Sequence, residues 1–357
     1  MVKILRYLSE HSHKNLWLIK DNYNFFKKIL KVTLKINNHL PLFLKKPFIK
    51  HMDSLGLSLI RFTKIILNVF SPFYIIESLN KKSRKKVRIL FRGDIKSTRF
   101  FLKKILGGDF TIKKIGFKIN SERIHDRFDI RLHKTDLFFK QYYQKRGYII
   151  VPEHTTFLLN IPNSLDEFIN RLSPSIIKDL QKAKKIGYSF EISNDIKKFK
   201  LFYHSMYLPY VNWKHKEKSR IVSFEAISHL AAQGAELLLI KKNEDYVFGG
   251  MFIKNEDKIV TSYAGLMEGK FNHLYNGIMA LSYYYLILIA KDYSCKSIDF
   301  GTSRPFKDDG LYKYKKKWKM DIIQTSPFIS EIFSIKILNR SSSLKKVINS
   351  DFLHHLN

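Results

Sequence analysis

Asp299 stands inside the apolar pattern Ile298-Asp299-Phe300-Gly301, where an unpaired carboxylate is costly. It is either a base or orienting group for a polar substrate, or a structural acid bonded to backbone or to Arg304. Both readings stay open at this point. Arg304 and Lys315 follow in a polar, aromatic loop, TSRPFKDDGLYKYKKKW, and their side chains suit a carboxylate or a phosphate. Arg304 is one of two arginines beyond position 220, whereas Lys315 belongs to a lysine-dense run. His273 and Asn276 flank the start of an uncharged stretch, and imidazole has the ordinary pKa for proton transfer near neutrality. Cys295 is the one cysteine, so an internal disulfide and a multi-cysteine zinc site are excluded. It reads as a small buried residue. No G-x-S-x-G, P-loop, H-E-x-x-H or Rossmann fingerprint occurs, and the 13 histidines show no ligand spacing, so no metal is expected.

The elements that must position these residues are legible from residue 164 onward. Ser164 with Glu167 forms a capping box for SLDEFINRL, and Pro174 opens a helix that Gly187 stops. YSFEI (188–192) is a strand. Helices are expected from Asp195 to Met206 and from Ser223 to Gln233. Three strands follow, AELLLIK, YVFGGMFI and KIVTSYAG, joined by hairpin turns at 243–245 and 255–257. A long helix from about Leu274 to Asp292 then leads to the strand KSIDFG. A three-stranded meander, a crossover helix and a neighbouring strand make an α/β (α+β) layer, in which ligands sit at strand ends where connections diverge. Earlier in the chain, VRILF (87–91), TIKKIGFKI (111–119), YIIV (148–151) and TTFLLNI (155–161) have strand character. Helices are expected through Phe101 and Leu106 and from Thr135 to Lys145. Residues 1–86 read as basic and mainly helical, 87–161 as an α/β segment, 162–325 as the main domain and 326–357 as a C-terminal extension.

Charge separates the two halves. Of 357 residues, 64 are basic and 31 acidic, and residues 1–150 carry a net +24 against +9 for the rest. Such a first half points to an anionic partner, either nucleic acid or a lipid surface. Only 14 of the basic residues are arginine, the side chain that grips phosphate bidentately. Ser54–Ile76, apolar but broken by Arg61, Lys64, Asn68 and Pro72, is too interrupted to span a membrane easily. It reads as a surface-lying or a core helix. Leu274–Ala290 reads as a helix buried inside a domain. The N-terminus does not read as a signal peptide, so a cytoplasmic protein is expected, with the inner face of the membrane as a peripheral site.

SPSIIKDLQKAKKIGY (173–188), the meander 235–265 and the segment 276–318 together resemble the GNAT acyltransferase superfamily, in its Fem-like branch. Asp299, Gly301, Ser303, Gly310, Tyr314, Lys315 and Trp318 fall on that branch's D-F-G-G-S and G-x-x-x-F/Y-K-x-x-W ending. The resemblance implies a GNAT-like mixed sheet flanked by helices in the C-terminal half, with residues 87–161 as a degenerate first lobe. It also implies acyl transfer to an amine of a sugar or envelope precursor. The donor is an acyl-CoA or an aminoacyl-tRNA, and no obligate protein partner is implied. On this resemblance Tyr263 and His273 join Asp299 as catalytic candidates. Arg304, Lys315, Ser303, Trp213 and His215 are substrate-binding candidates, the last two from HSMYLPYVNWKHK (204–216), which resembles the acceptor groove. Gly265, Gly269, Asn276 and Gly277 are the candidates for holding the donor. The loop LMEGKFNHLYNGIM departs from the Arg/Gln-x-x-Gly-x-Gly/Ala signature that holds a coenzyme A diphosphate in typical members. The alternative is a non-catalytic GNAT-like module that binds nucleic acid or anionic membrane through its basic half.

Overall fold

The computed structural model describes residues 71–79, 86–106, 109–116, 127–215, 221–323 and 331–338. The chain divides into two compact units, 1–153 with 326–357, and 154–325. The expected surface helix before Phe73 and most of the run KKSRKK lie outside the described residues.

The first unit is built on a six-stranded sheet. Its strands are β1 (Phe73–Leu79), β2 (Lys86–Arg92), β3 (Thr111–Gly116), β4 (Ile130–Asp136), β5 (Ile149–Pro152) and β13 (Glu331–Ile337), in the order β3-β1-β2-β4-β13-β5. β2 and β4 run parallel, while β13 lies antiparallel between β4 and β5. Helix α1 (Ile95–Leu106) turns Phe101, Leu102, Ile105 and Leu106 inward, and Phe101 stacks on Phe333 of β13. Lys134 is buried in the same unit, where its ammonium meets Glu153 at 2.9 Å, Glu331 at 3.1 Å and the Ser97 hydroxyl at 2.7 Å. Two carboxylates and a hydroxyl satisfy a charge that would otherwise be prohibitive there. Residues expected to form a helix from Thr135 instead finish β4. The pairing of Ile130–Asp136 along the whole of β13 overrides local helix propensity, and only Lys140–Gln144 (α2) is α-helical. FYIIESL, expected within a helical region, is an inner strand for the same reason.

The second unit has a seven-stranded sheet of β6 (Thr155–Asn160), β7 (Tyr188–Ser193), β8 (Ala235–Lys242), β9 (Asp245–Asn255), β10 (Lys258–Leu266), β11 (Ser297–Ser303) and β12 (Asp321–Ile323). The order is β12-β6-β11-β10-β9-β8-β7. Both meander turns are two-residue connections, with Asn243 and Glu256 at φ 56° and 57°. Ser164 caps α3 (Leu165–Asn170) by accepting the Glu167 amide, and α4 (Pro174–Ile186) ends on left-handed Gly187. The expected helix from Asp195 is three segments in series: α5 (Ile196–Leu201), a π-helical stretch (Phe202–Tyr207) and α6 (Leu208–His215). After α7 (Phe224–Ala232) and the meander, the expected long helix is broken. A short α8 (Asn272–Tyr275) ends before left-handed Gly277, and α9 (Ile278–Asp292) starts there. α9 carries the chain from β10 to its parallel neighbour β11, and α10 (Gly310–Lys317) precedes β12. Leu237, Leu239 and Met251 pack toward the π-helical stretch, while Leu238 and Ile240, of opposite parity, are fully buried on the other face.

Candidate active site

β10 and β11 are joined over three pairs only: Lys258 with Ser297, Ile259 with Ile298, and Val260 with Asp299. Beyond them each strand follows its other neighbour. β10 bulges between Thr261 and Ala264 and stays with β9, while β11 bulges between Asp299 and Thr302 and stays with β6. The Thr261 hydroxyl, donating to the Asp299 carbonyl at 3.1 Å, marks the last link. From there to Leu266, β10 presents a strand edge with no ladder partner on its β11 side among the described residues.

The β11 kink is built by the residues that carry the Asp-Phe-Gly and Tyr-Lys-x-x-Trp pattern. Gly301 adopts φ 72°, which a side chain would oppose, and its amide donates to Asp299 Oδ1 at 2.8 Å. Lys315, 2% exposed, donates to the carbonyls of Phe300 (2.8 Å), Gly301 (3.0 Å) and Thr302 (3.2 Å). Those three bonds use every proton of the ammonium and leave none for a substrate anion. Burial pulls the Lys315 ammonium down to about 8, against the pull of the Asp299 and Asp309 carboxylates. Below the kink Tyr283 stacks on Phe300, with Tyr314 and fully buried Trp318 beside it. Ser303 is buried next to the Thr155 hydroxyl, and Arg304 is exposed just past the strand.

A second group forms at the start of α9. His273 Nδ1 and the Tyr188 hydroxyl are 2.8 Å apart, and Tyr285 donates to the Tyr188 carbonyl. Burial, with Lys242 and Lys270 nearby, lowers the His273 pKa, so the ring is neutral at physiological pH. Gly277 at φ 81° lies directly against α4: a Cβ there would fall 2.1 Å from the Asp179 carbonyl oxygen. Gly269, also at positive φ, packs near Pro209, and Glu268 in the same turn pairs with Lys270.

The π-helical stretch makes a third group. A Cβ on Gly265 would meet the Met206 backbone at 2.4 Å, and one on Gly249 the Phe202 ring at 2.6 Å. These two strand glycines let the π turn lie directly on the sheet. It thereby brings Tyr207 edge-on to Tyr263 and ties both Tyr203 and Tyr207 to Val222. Trp213, half exposed, stacks on Phe271, and Lys214 donates to Tyr210. The His215 side chain lies outside the described residues.

Sequence reasoning therefore found members of three groups, and the structure assigns them different partners. Asp299 and Lys315 hold the kink, and His273 meets Tyr188. Tyr263 meets Tyr207. It missed Tyr188, which the chain order places far from His273, and the π turn, whose one signal was glycine inside two strands. It also missed Glu191, which accepts from Lys198, Lys241 and Tyr246. Despite partial burial, those bonds hold its carboxyl down to about 2.

A meander, a crossover helix and a parallel strand that parts from its neighbour complete the mixed sheet, with helices on both of its faces. Solved structures similar to the chain include FemX, at 14% identity over 77% of this chain and 86% of that one with a TM-score of 0.40. Another is the C-terminal domain of a putative lysylphosphatidylglycerol synthetase from Agrobacterium fabrum, at 11% identity, 82% and 95% coverage and a TM-score of 0.39. A GCN5-related N-acetyltransferase from Sphaerobacter thermophilus is similar at 11% identity, with 75% and 78% coverage and a TM-score of 0.34. No family model matches the sequence, and no curated protein matches it. Among the described residues no helix is long and apolar enough to cross a membrane, and no cluster has the makings of a metal site.

Proposed function

We propose that the second unit is the catalytic part of an N-acyltransferase acting on an amine of a sugar or cell-envelope precursor. The observation that carries this reading is the parting of β10 from β11, which opens a strand edge beside a buried, rigidly held kink. An extended donor arm laid along that edge gains main-chain hydrogen bonds, as an added strand does. In the reaction the acceptor nitrogen attacks the acyl carbonyl, the bond to the donor's sulfur or ribose oxygen breaks, and the amine proton passes to a base. His273, neutral and bonded through Nδ1, is that base in this reading, and Tyr263 and Asp299 line the approach. The Trp213–Phe271 stack offers a face for the acceptor, and exposed Arg304 offers a grip for its anionic group.

The donor is an acyl-CoA or an aminoacyl-tRNA. The start of α9 suits a diphosphate poorly, because Gly277 lies against the Asp179 backbone and the Glu268 carboxylate sits in the preceding turn. A polyanionic donor finds a better match in exposed lysines: Lys178, Lys182, Lys184 and Lys185 on α4, and Lys313, Lys316 and Lys317 on α10. The two helices meet where the Ser173 amide reaches the Lys317 carbonyl. The same lysines favour a second reading, a module that binds a nucleic acid or an anionic membrane without catalysis. The test is transfer of label from acetyl-CoA and from aminoacyl-tRNA to amino sugars and envelope precursors, with thermal melts of the protein in each donor. Amide-linked label from either donor is expected. Salt-sensitive tRNA or vesicle binding with no transfer from either would replace the first reading with the second.

A further inference from the structure

The first unit holds a polar cluster that the acyl-transfer reading does not use. His133 of β4 lies opposite Ser334 of β13 and beside Arg92 of β2, and Arg131 lies two residues along β4. Directly paired residues share a face of a sheet, and so do residues two apart, so all four side chains converge. Tyr143 and Tyr148 close round the His133 ring at 5.3 and 5.7 Å. Three polar atoms in this cluster are buried and lack any hydrogen-bond partner among the described residues: Arg131 Nε, His133 Nδ1 and Ser334 Oγ.

The chemistry of those atoms is specific. Ser334 is wholly buried. Arg131 is partly exposed and, among the described residues, forms no ion pair, its one side-chain hydrogen bond there being a long contact of 3.5 Å to the Tyr148 hydroxyl. Arg92, which donates to the Ser71 carbonyl, brings a second guanidinium. Burial, Arg131 and Arg92 together lower the His133 pKa to about 3, so the ring adds no charge near neutrality. A cation whose Nε is shut off from solvent ordinarily has a counter-charge, and buried donors ordinarily have acceptors. Water would satisfy the donors but not the charge. A phosphate group supplies both, with several acceptor oxygens for Arg131 and Ser334 and, in its monoprotonated form, a donor for His133.

We propose that Arg131, His133 and Ser334, backed by Arg92, form a binding site for a phosphate group in the first unit. Inorganic phosphate and a phosphate monoester share that chemistry, and glycerol 3-phosphate serves as the second probe. The experiment is a thermal melt of the full chain, titrated with each probe at constant ionic strength against chloride and acetate. Wild-type protein is expected to show a saturable rise in Tm with phosphate that acetate does not reproduce. A larger rise with glycerol 3-phosphate identifies an ester as the natural ligand, and an equal one identifies free phosphate. Arg131→Gln and, separately, Ser334→Ala are expected to weaken the apparent affinity by about tenfold or more. Should one variant fail to fold, isothermal titration of the other against wild type gives the same comparison. A phosphate response no greater than that of chloride means ordered water only and overturns the proposal. So does a response that both variants retain in full, which would place the anion on the surface lysines. Neither result bears on label transfer in the second unit.

Discussion

Lys315 and Asp299 serve the same kink of β11 in complementary ways. The carboxylate accepts the amide that the bulge sets free, and the ammonium donates to three successive carbonyls. Together they fix the point at which β11 turns away from β10, and so the start of the strand edge proposed for the donor.

Replacing Lys315 by Met keeps the stem and leaves those carbonyls without donors in the interior. A loss of roughly 2–5 kcal/mol is expected, read from denaturant midpoints. Asp299→Asn keeps an acceptor oxygen for the Gly301 amide, so its stability is expected to stay within about 1 kcal/mol of wild type. Its turnover is expected to fall. Unchanged turnover would take Asp299 out of the mechanism and leave it as the structural cap alone.

Gly277 and Gly301 have similar backbone angles and different surroundings. Alanine at 277 meets the Asp179 backbone, whereas at 301 the added carbon enters open space. Gly301→Ala is expected to cost about 1–2 kcal/mol for the left-handed conformation alone, and Gly277→Ala about 2–4 kcal/mol because overpacking adds to it. Urea unfolding of the pair checks the difference. Equal losses would mean that α4 moves freely away from the start of α9.

The pH profile of transfer reports on His273. Burial, Lys242 and Lys270 hold its pKa below the ordinary 6.5, so activity is expected to rise with pH through a limb below that value and then level off. Removing a positive charge favours the imidazolium, so Lys242→Ala is expected to move the limb to higher pH. A limb that stays in place in Lys242→Ala assigns the proton transfer to another group.

The Lys134 cluster makes the first unit sensitive to pH. Burial and the neighbouring Glu331 charge, partly offset by Lys134, push Glu153 up to about 7, above the 4.5 of a free carboxyl. The folded state therefore binds the Glu153 proton more tightly than the unfolded chain does. Its contribution is complete below about 4.5 and is lost as pH rises through about 7. Glu153→Gln has no such proton to lose. Its Tm relative to wild type is expected to climb between those pH values, and a flat difference would contradict the assignment.

The sequence was most legible where structure is set locally. The cap at Ser164, the Pro174-to-Gly187 helix and both two-residue turns depend on neighbours within a few positions. It was least legible where distant partners decide. β4 extends to Asp136 because β13 pairs along all of it, and β13 itself has a weak pattern. The π turn hides in a helical period, and the glycines that admit it lie in other strands. At the site, the Asp-Phe-Gly run marked the kink. The bond between His273 and Tyr188 depends on how the sheet brings β7 to the start of α9, which spacing does not encode.

β13 also determines the order in which the chain can finish folding. A ribosome makes β4 and β5 early but releases their shared middle strand only after the whole of residues 154–325. β6 to β12, by contrast, emerge as one uninterrupted run. The later-made sheet can therefore close first, while the earlier one waits with two strand edges exposed to mispairing. A stop codon just before Glu331 would spare the strands of the second sheet and leave β5 of the first with no strand between it and β4.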